Sequence, residues 1–174
     1  MGIEIRAAVA ADLAAMTAIY AGHVLTGIAT FEEVPPDLDE MARRHAAVTG
    51  RGLPWLVAEE EGTILGYAYA GAYRERSAYR FAVEDSIYLA PAAQRRGVGR
   101  ALLARLIDDA TDAGARQMLA VIGDSGNAGS IGVHRSLGFA PVGTMRAVGF
   151  KHGRWVDVVL MQRALGEGDA TLPR

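Results

Sequence analysis

The alternation of apolar and polar positions in the first third of the chain predicts a strand followed by two helices. Residues 3–6 alternate as a half-buried strand does, and apolar side chains then recur at helical spacing over residues 13–24. Gly27 is expected to end that helix. Two prolines keep the connector of residues 28–36 out of helix, and a second helix, capped by an aspartate, is predicted over residues 37–48.

The middle of the chain has the pattern of antiparallel strands followed by a helix. Residues 55–58 and 63–70 flank Glu61-Gly62, which predicts a hairpin with a tight turn, and a further strand is predicted over residues 81–89. A helix from about Gly99 then follows. One face of this helix carries the apolar side chains of Leu102, Leu103, Leu106, Ile107 and Ala110.

The last third predicts a strand, a helix and two more strands. Residues 118–122 form a short continuous apolar run, which is typical of a strand buried on both faces. A helix is predicted over residues 127–137, and strands over 140–148 and 155–162 flank the turn residues 151–153. The order strand, helix, helix, three strands, helix, strand, helix, two strands describes a mixed α/β domain.

The length and composition set the limits of this domain. A chain of 174 residues buries enough surface for one ordinary core, so we expect a single domain over residues 1–165. Residues 166–174 are polar and rich in glycine, and they are expected to form a flexible tail. There is no cysteine, which excludes disulfide scaffolds and any mechanism with a cysteine nucleophile.

The charge balance disfavours two classes of partner. Eighteen basic and twenty acidic residues give a net charge of −2, without the excess of basic charge that nucleic-acid binding requires. The first residues lack the basic start of a leader, and no apolar run approaches the about 20 residues of a spanning helix. We therefore expect a cytoplasmic protein with neither nucleic acid nor membrane as partner. The four histidines lack metal-ligand spacing, so no metal is expected.

The most informative segment runs from Gln94 to Ala101, between a predicted strand and a predicted helix. Glycines at this place allow backbone N–H groups to approach an anion, and the start of a helix favours negative charge. The segment lacks the third glycine of a dinucleotide fingerprint and the Gly-Lys-Ser/Thr of a P-loop. It therefore predicts a pyrophosphate cradle of another kind, and the alternative is a strand-to-helix turn with solvated arginines.

This segment resembles motif A of the GNAT superfamily of acyl-CoA N-acyltransferases, whose pattern Gln94, Gly97 and Gly99 match. Four further blocks resemble the phosphinothricin and methionine sulfoximine/sulfone N-acetyltransferase branch. They are residues 30–32, 83–88, 134–139 and 149–157. The resemblance implies a GNAT fold, with a central mixed, mostly antiparallel twisted sheet flanked by helices. It also implies acetyl-CoA as acetyl donor, a small amino-acid analogue as acceptor, and a homodimer.

Glu84 is the candidate general base. Transfer to an amine requires removal of the ammonium proton, and Glu84 lies in the strand before the cradle, on the same face as Ser86 and Tyr88. The alternative is an exposed strand carboxylate, against which the resemblance assigns the glutamate as base. Asp85 points to the other face and is the weaker candidate. The resemblance also places His134 near the active site, although a lone helix histidine is more often structural.

The predicted coenzyme contacts follow from the resemblance. Ile87, Tyr88 and Leu89 would lie beside the pantetheine arm, where the backbone N–H of Leu89 would polarise the thioester carbonyl. Asn127 is expected to contact the coenzyme, to cap the last helix, or both. The remaining predicted contacts are Arg95, Arg96, Gly97, Val98, Gly99, Arg100 and Ser136.

The acceptor side is predicted from a basic segment and from the family's loops. Arg74 and Arg76 suit a carboxylate or another oxyanion, and their alternative is a solvated loop. The residues that the resemblance assigns to acceptor binding are Phe31, Glu32, Arg74, Glu75, Arg76, Glu84, Asp85 and Ser86.

Two other functions stay open at this point. One is acetylation of another amine, such as an aminoglycoside or a protein N-terminus, although an aminoglycoside pocket should be acidic and the candidate loop is rich in arginine. The other is a non-catalytic acyl-CoA-binding sensory module, which the presence of Glu84 disfavours.

Overall fold

In the computed structural model, which describes residues 2–173, the strands form one seven-stranded sheet with helices on both faces. The predicted order of elements is confirmed. The strands are β1 (Glu4–Ala7), β2 (Trp55–Glu60), β3 (Thr63–Ala72), β4 (Ala82–Leu89), β5 (Gln117–Gly123), β6 (Ala140–Lys151) and β7 (Arg154–Ala164). The helices are α1 (Leu13–Thr26), α2 (Leu38–Thr49), α3 (Val98–Asp112) and α4 (Ala128–Ser136). No helix within residues 2–173 has the length and apolar character to cross a membrane.

The sheet opens between β4 and β5. Its order is β1-β2-β3-β4-β5-β7-β6, and β4 with β5 is the one parallel pair among the described strands. That pairing stops at Asp85 and Ala120. Beyond it β4 stays paired with β3 as far as Leu89, while β5 stays paired with β7 as far as Gly123. The two strands therefore separate and leave a wedge-shaped gap in the sheet, which we call the splay.

Each face of the sheet has its own core. Tyr20, Trp55 and Tyr67 belong to the core under α1 and α2. Leu102 and Met118 belong to the core under α3 and α4. Because side chains alternate along a strand, successive residues of β4 enter different cores.

The prediction that the strand near residues 118–122 is buried on both faces is wrong. Met118, Ala120 and Ile122 are buried against α3 and α4, but Leu119 is half-buried and Val121 is 36% exposed. The reason is that α1 and α2 pack against β2, β3 and β4. The splay also leaves Val121 facing open space.

The last two strands are longer than predicted, since their turn consists of His152-Gly153 alone. Both residues have positive φ, +51° and +72°, as a two-residue hairpin turn requires. Strand β6, at one end of the sheet, is irregular between Met145 and Gly149. There Ala147 has a φ of +52°, and its N–H donates to the Asp157 carboxylate at 2.8 Å.

The end of the chain folds back along α3 and β5. Leu165 is buried, and its N–H donates to the carbonyl of Arg116 at 3.0 Å. Arg116 also donates to the Thr171 hydroxyl at 2.7 Å. The domain limit near Leu165 and the flexibility of the tail stay predictions, and Met1 and Arg174 lie outside the described residues.

Candidate functional site

The splay forms the mouth of a cleft of about 460 Å³ between β4 and β5. Strand β4 forms one wall of the cleft, and β5 and α4 form the other wall. The turn before α3 forms its floor. The cleft is lined by residues 85–89, 94, 95, 97–100, 120–123, 127, 129, 130, 133 and 134, with His23 and Ala29 at its edge. Most of the predicted coenzyme contacts are therefore brought together in one place.

The turn before α3 presents backbone groups to the cleft. Gly97 caps α3 with a φ of +82°, and an added Cβ there would meet nothing within 4 Å. Its glycine is thus required by conformation rather than by space. The first N–H groups of α3 have no acceptor within the helix, so they are free to bind an anion at its N-terminal end. Arg95 and Arg100 line the same part of the cleft.

Two of the predicted coenzyme contacts are directed elsewhere. The guanidinium of Arg96 donates to both carboxylate oxygens of Glu60 at 2.8 Å, and the Ser136 hydroxyl donates to the carbonyl of Val133 at 2.8 Å. Neither residue lines the cleft. Asn127 does line it, and its side-chain oxygen accepts the N–H of Ser130 at 3.1 Å as a helix cap. The coenzyme roles of all three residues stay predictions.

The backbone of Leu89 faces the cleft. Ala90 donates its N–H to Leu65 at 2.8 Å, so the N–H and carbonyl of the preceding Leu89 point to the opposite edge of β4, where β5 has separated. His23 Nε2 donates to this carbonyl at 2.8 Å. The sequence reasoning missed His23. The available signal was its position three residues after Tyr20 on the buried face of α1, where both rings contact Tyr88.

Glu84 lies on the face of β4 that α1 and α2 cover. Its cross-strand neighbour is Gly71, which places no side chain opposite the carboxylate. Burial raises the pKa of the Glu84 carboxyl group, and the adjacent charge of Asp85 adds to the shift. No basic group among residues 2–173 offsets it. Ser86 and its cross-strand neighbour Tyr69 share this face, so Glu84 is a half-buried carboxylate beside hydroxyl groups.

Asp85 points the other way and forms a buried pair with His134. His134 Nε2 donates to Asp85 Oδ2 at 2.9 Å, and its Nδ1 donates to the carbonyl of Ser130 at 2.7 Å. The carbonyl of Ser130 can only accept, so Nδ1 carries a proton, and the contact with the Asp85 carboxyl group favours a second proton on Nε2, which makes the ring positively charged. Burial opposes this charge, but Asp85 and the Ser130 carbonyl raise the pKa of His134 overall. The pair fastens β4 to α4, and within residues 2–173 no third acidic or histidine side chain joins it as a metal site.

Phe31 and Glu32 lie on the α1–α2 connector, which comprises residues 27–37. The Glu32 carboxylate accepts hydrogen bonds from Tyr20 at 2.9 Å and from Arg44 at 2.7 Å. Burial opposes the ionised form, but these two partners lower the pKa of Glu32 overall. Glu32 is therefore a fixed anion, whereas Phe31 is 39% exposed.

The structure does not bring the predicted arginine segment to the cleft. Arg74, Glu75 and Arg76 line a second cavity of about 400 Å³, beyond the end of β3, with Arg51 and Arg80. It shares no lining residue with the cleft. The guanidinium of Arg74 lies 5.1 Å from the centre of the neighbouring tyrosine ring. The role of this segment in acceptor binding stays a prediction.

Comparison with known proteins finds a matching family and several similar proteins. Residues 18–139 match the acetyltransferase (GNAT) family. The chain is 59% identical over 162 residues to phosphinothricin N-acetyltransferase of Alcaligenes faecalis, covering 93% of this chain and 82% of that protein. It is 44% identical over 165 residues to the L-methionine sulfoximine/L-methionine sulfone acetyltransferase of Salmonella typhimurium, covering 95% and 96%. A solved phosphinothricin acetyltransferase from Sinorhizobium meliloti, in complex with AcCoA, has a TM-score of 0.97 and 55% identity, covering 100% of this chain and 94% of that one.

Proposed function

Since the chain belongs to the acetyltransferase (GNAT) family, we propose that it transfers acetyl from acetyl-CoA to the α-amine of a small amino-acid analogue. The proposed analogues are phosphinothricin, methionine sulfoximine and methionine sulfone, after the names of the similar proteins. The observation that carries the proposal is the arrangement of β4. The edge of β4 directs the Leu89 N–H into the cleft, and the face of β4 that α1 and α2 cover carries the half-buried Glu84.

The residues of the cleft fit acetyl-CoA. The open space above Gly97 and the free N–H groups of α3 suit a pyrophosphate, with Arg95 and Arg100 close by. An added Cβ at Gly99 would lie 3.4 Å from the Leu89 side chain, so glycine keeps the turn close to β4. The free edge of β4 at residues 87–89 suits the amide groups of the pantetheine arm. The bound coenzyme supplies an acetyl thioester.

The transfer is proposed to be direct. Glu84 accepts the proton of the acceptor ammonium, either at once or through a water molecule, which frees the nitrogen lone pair. A bond forms between this nitrogen and the acetyl carbonyl carbon, the carbon–sulfur bond breaks, and the second proton that the nitrogen must lose to become an amide passes to the departing thiolate. Leu89 N–H donates to the carbonyl oxygen while negative charge develops on it. The chain has no cysteine for an acyl-cysteine step, which supports a ternary complex.

The face of the sheet that carries Glu84, Ser86 and Tyr69, together with the α1–α2 connector, is the proposed acceptor face. Once the acceptor is bound, burial of this face favours loss of its ammonium proton to Glu84. The fixed anion of Glu32 suits an ammonium group, and the exposed ring of Phe31 suits an apolar side chain.

We also propose that the protein is a homodimer. The β6–β7 hairpin exposes a group of large apolar side chains, which soluble monomers seldom leave uncovered. They are Met145, Val148, Phe150 and Trp155. Arg74 and Arg76, which line a cavity separate from the cleft, are also proposed to bind the acceptor. Light scattering during size-exclusion chromatography would give the mass of a single chain if the dimer were wrong.

The experiment that tests the function is a continuous assay of thiol release from acetyl-CoA. The amines are methionine sulfone, methionine sulfoximine, phosphinothricin, the common amino acids and an aminoglycoside. We expect saturable release with the first three. Release with the aminoglycoside alone would overturn the proposed acceptor class. Binding of acetyl-CoA without release for any amine would favour the sensory module instead.

A further inference from the structure

Lys151, at the end of β6, is a buried cation that belongs neither to the cleft nor to the acceptor face. Its side chain is among the most deeply buried in the protein, with a residue exposure of 2%. Its Nζ donates to the carbonyl of Thr30 at 2.8 Å. No carboxylate of residues 2–173 lies within ion-pair distance of it. Lysine is rarely buried without a paired anion, because loss of hydration opposes the charge.

The Thr30 carbonyl belongs to the α1–α2 connector, immediately before Phe31 and Glu32. A methionine of similar length would fill the same space without burying a charge. Such an apolar side chain lacks the hydrogen bond to Thr30 and the longer-range attraction of the Glu33 and Glu32 carboxylates, which belong to the same connector. The buried ammonium group is thus explained by its hydrogen bond to the α1–α2 connector.

Strand β6 touches the connector at a second point. An added Cβ at Gly149 would lie 2.4 Å from two atoms of the Phe31 ring, which therefore rests directly on the β6 backbone. Gly149 and Lys151 are two residues apart and point to the same face of β6. One strand end thus contacts both the ring of Phe31 and the carbonyl that precedes it.

Two further contacts hold the connector from other directions. The Thr30 hydroxyl hydrogen-bonds to the Tyr20 hydroxyl at 2.9 Å. On the side of the cleft, an added Cβ at Gly123 would lie 2.7 Å from the Ala29 carbonyl oxygen. A segment without helix or strand therefore has a contact at each residue from Ala29 to Glu32, and these contacts set the place of the Phe31 ring.

We propose that Lys151 is a positioning residue for the acceptor, acting through the Thr30 carbonyl on the place of the Phe31 ring. This inference rests on the proposed function. Lys151 is itself held by the pairing of β6 with β7, where its partner is Arg154. The hairpin thereby sets the distance between the Phe31 ring and the strand that carries Glu84, and with it the size of the apolar group that the acceptor carries.

The first test is Lys151→Met in the full chain, with methionine sulfone as acceptor. The KM for the acceptor should rise at least tenfold, while kcat and the KM for acetyl-CoA stay within about twofold, because the cleft is untouched. Lys151→Arg should restore part of the loss, since it retains a donor. Arg43→Met is the matched control, because Arg43 is an exposed cation whose ion pair to Glu40 lies on α2.

The second test asks whether Lys151 acts through Phe31. Against a Phe31→Ala background, Lys151→Met should change the acceptor KM less than it does in the parent protein. Equal effects in both backgrounds would mean that Lys151 supports the fold alone, and the proposal would be wrong. If Lys151→Met does not fold, Gly149→Ala displaces the same ring from β6 and should raise the acceptor KM in the same way.

The third test does not depend on turnover. Amide hydrogen exchange of residues 28–34 should be faster in Lys151→Met than in the parent or in Arg43→Met, with the rest of the chain unchanged. Unchanged exchange in this segment would overturn the inference. Absence of thiol release from the parent protein for every amine would overturn the proposed function and leave the exchange result to decide about Lys151.

Discussion

The cleft and the acceptor face are built in different ways. The anion-binding part of the cleft uses one short segment, residues 94–100, and the free backbone of β4, so most of its donors are N–H groups of the main chain, with Arg95 and Arg100 beside them. The acceptor face combines side chains of β3 and β4 with the α1–α2 connector, which hydrogen bonds from α1, α2 and β6 hold in place. The difference implies that the cleft tolerates many side-chain changes, whereas single substitutions far apart in sequence alter the acceptor face.

Strand β4 separates the two regions, and its adjacent carboxylates show the contrast. Burial raises the pKa of Glu84 and no basic group of residues 2–173 offsets the shift, whereas Asp85 accepts a hydrogen bond from His134. One position is the proposed site of proton transfer, and the next attaches α4 to the sheet.

The largest expected effect comes from a substitution on the acceptor face that leaves coenzyme binding unchanged. Glu84→Gln should lower kcat by about 10²- to 10⁴-fold, the usual contribution of a general base. Because burial raises its pKa, kcat/KM of the parent should climb with pH through a value above the ordinary 4.5, and the variant should lack this limb. Affinity for acetyl-CoA, measured by calorimetry, should not change. Glu4→Gln serves as control, and a variant with full turnover at every pH would remove Glu84 from the mechanism.

Asp85→Asn should mainly affect stability, because burial, and not the charge of Asp85, is the larger cause of the raised pKa of Glu84. Loss of a hydrogen bond to a charged partner should lower the free energy of unfolding by about 1.5–3 kcal/mol. Since the pKa of His134 is raised above its ordinary 6.5, the pair stabilises the fold fully below that pH and loses its effect as pH rises through the folded-state value. Urea unfolding at acid and alkaline pH measures this. A difference that grew with pH would contradict the charged state of His134.

A substitution in the cleft should weaken coenzyme binding and leave acceptor binding unchanged, which is the opposite of the effect of Glu84→Gln. Gly97→Asp places a carboxylate beside the proposed pyrophosphate site, and like charges at such distances cost several kcal/mol. The KM for acetyl-CoA should rise at least about tenfold, with the acceptor KM unchanged. Gly52→Asp is a matched control, because Gly52 also has a positive φ, +73°, and open space around it but lies in the turn before β2. Equal kinetics for the two variants would locate the cradle elsewhere.

The smallest expected effect concerns Asn127, at the border of the cleft. Asn127→Ala should lower the free energy of unfolding by about 0.5–2 kcal/mol through loss of the cap, and Asn127→Ser should restore it. The melting temperatures of the two variants measure the loss and the recovery of the helix cap. Weaker acetyl-CoA binding in the serine variant, at restored stability, would show that Asn127 also contacts the coenzyme, whereas unchanged binding would limit it to capping.

Sequence reasoning could predict whatever depends on neighbours in the chain. The element order follows from periodicity, and Gly27 and the Asp37 cap end and begin helices as predicted. The GNAT fold and family are confirmed because their signature, residues 94–100, is a local backbone motif.

Contacts between distant segments could not be predicted. Periodicity detects that Val121 is apolar, but only the separation of β4 from β5 exposes it. The pattern around Lys151 predicts a turn, whereas the burial of its ammonium depends on Thr30, which lies far away in sequence. Likewise, His23 shows its partner only when α1 lies across the end of β4.

The irregularity in β6 has a consequence for self-association. A long strand at the end of a sheet is a template on which another molecule can add a strand, and such addition leads to aggregation. Ala147 interrupts the template, because its N–H is donated inward to Asp157. This bond and the Ser125 hydroxyl lower the pKa of Asp157, so the interruption survives mild acid and is lost as pH falls through that lowered value. Strong acid would therefore lengthen the continuous edge that one molecule offers to the next.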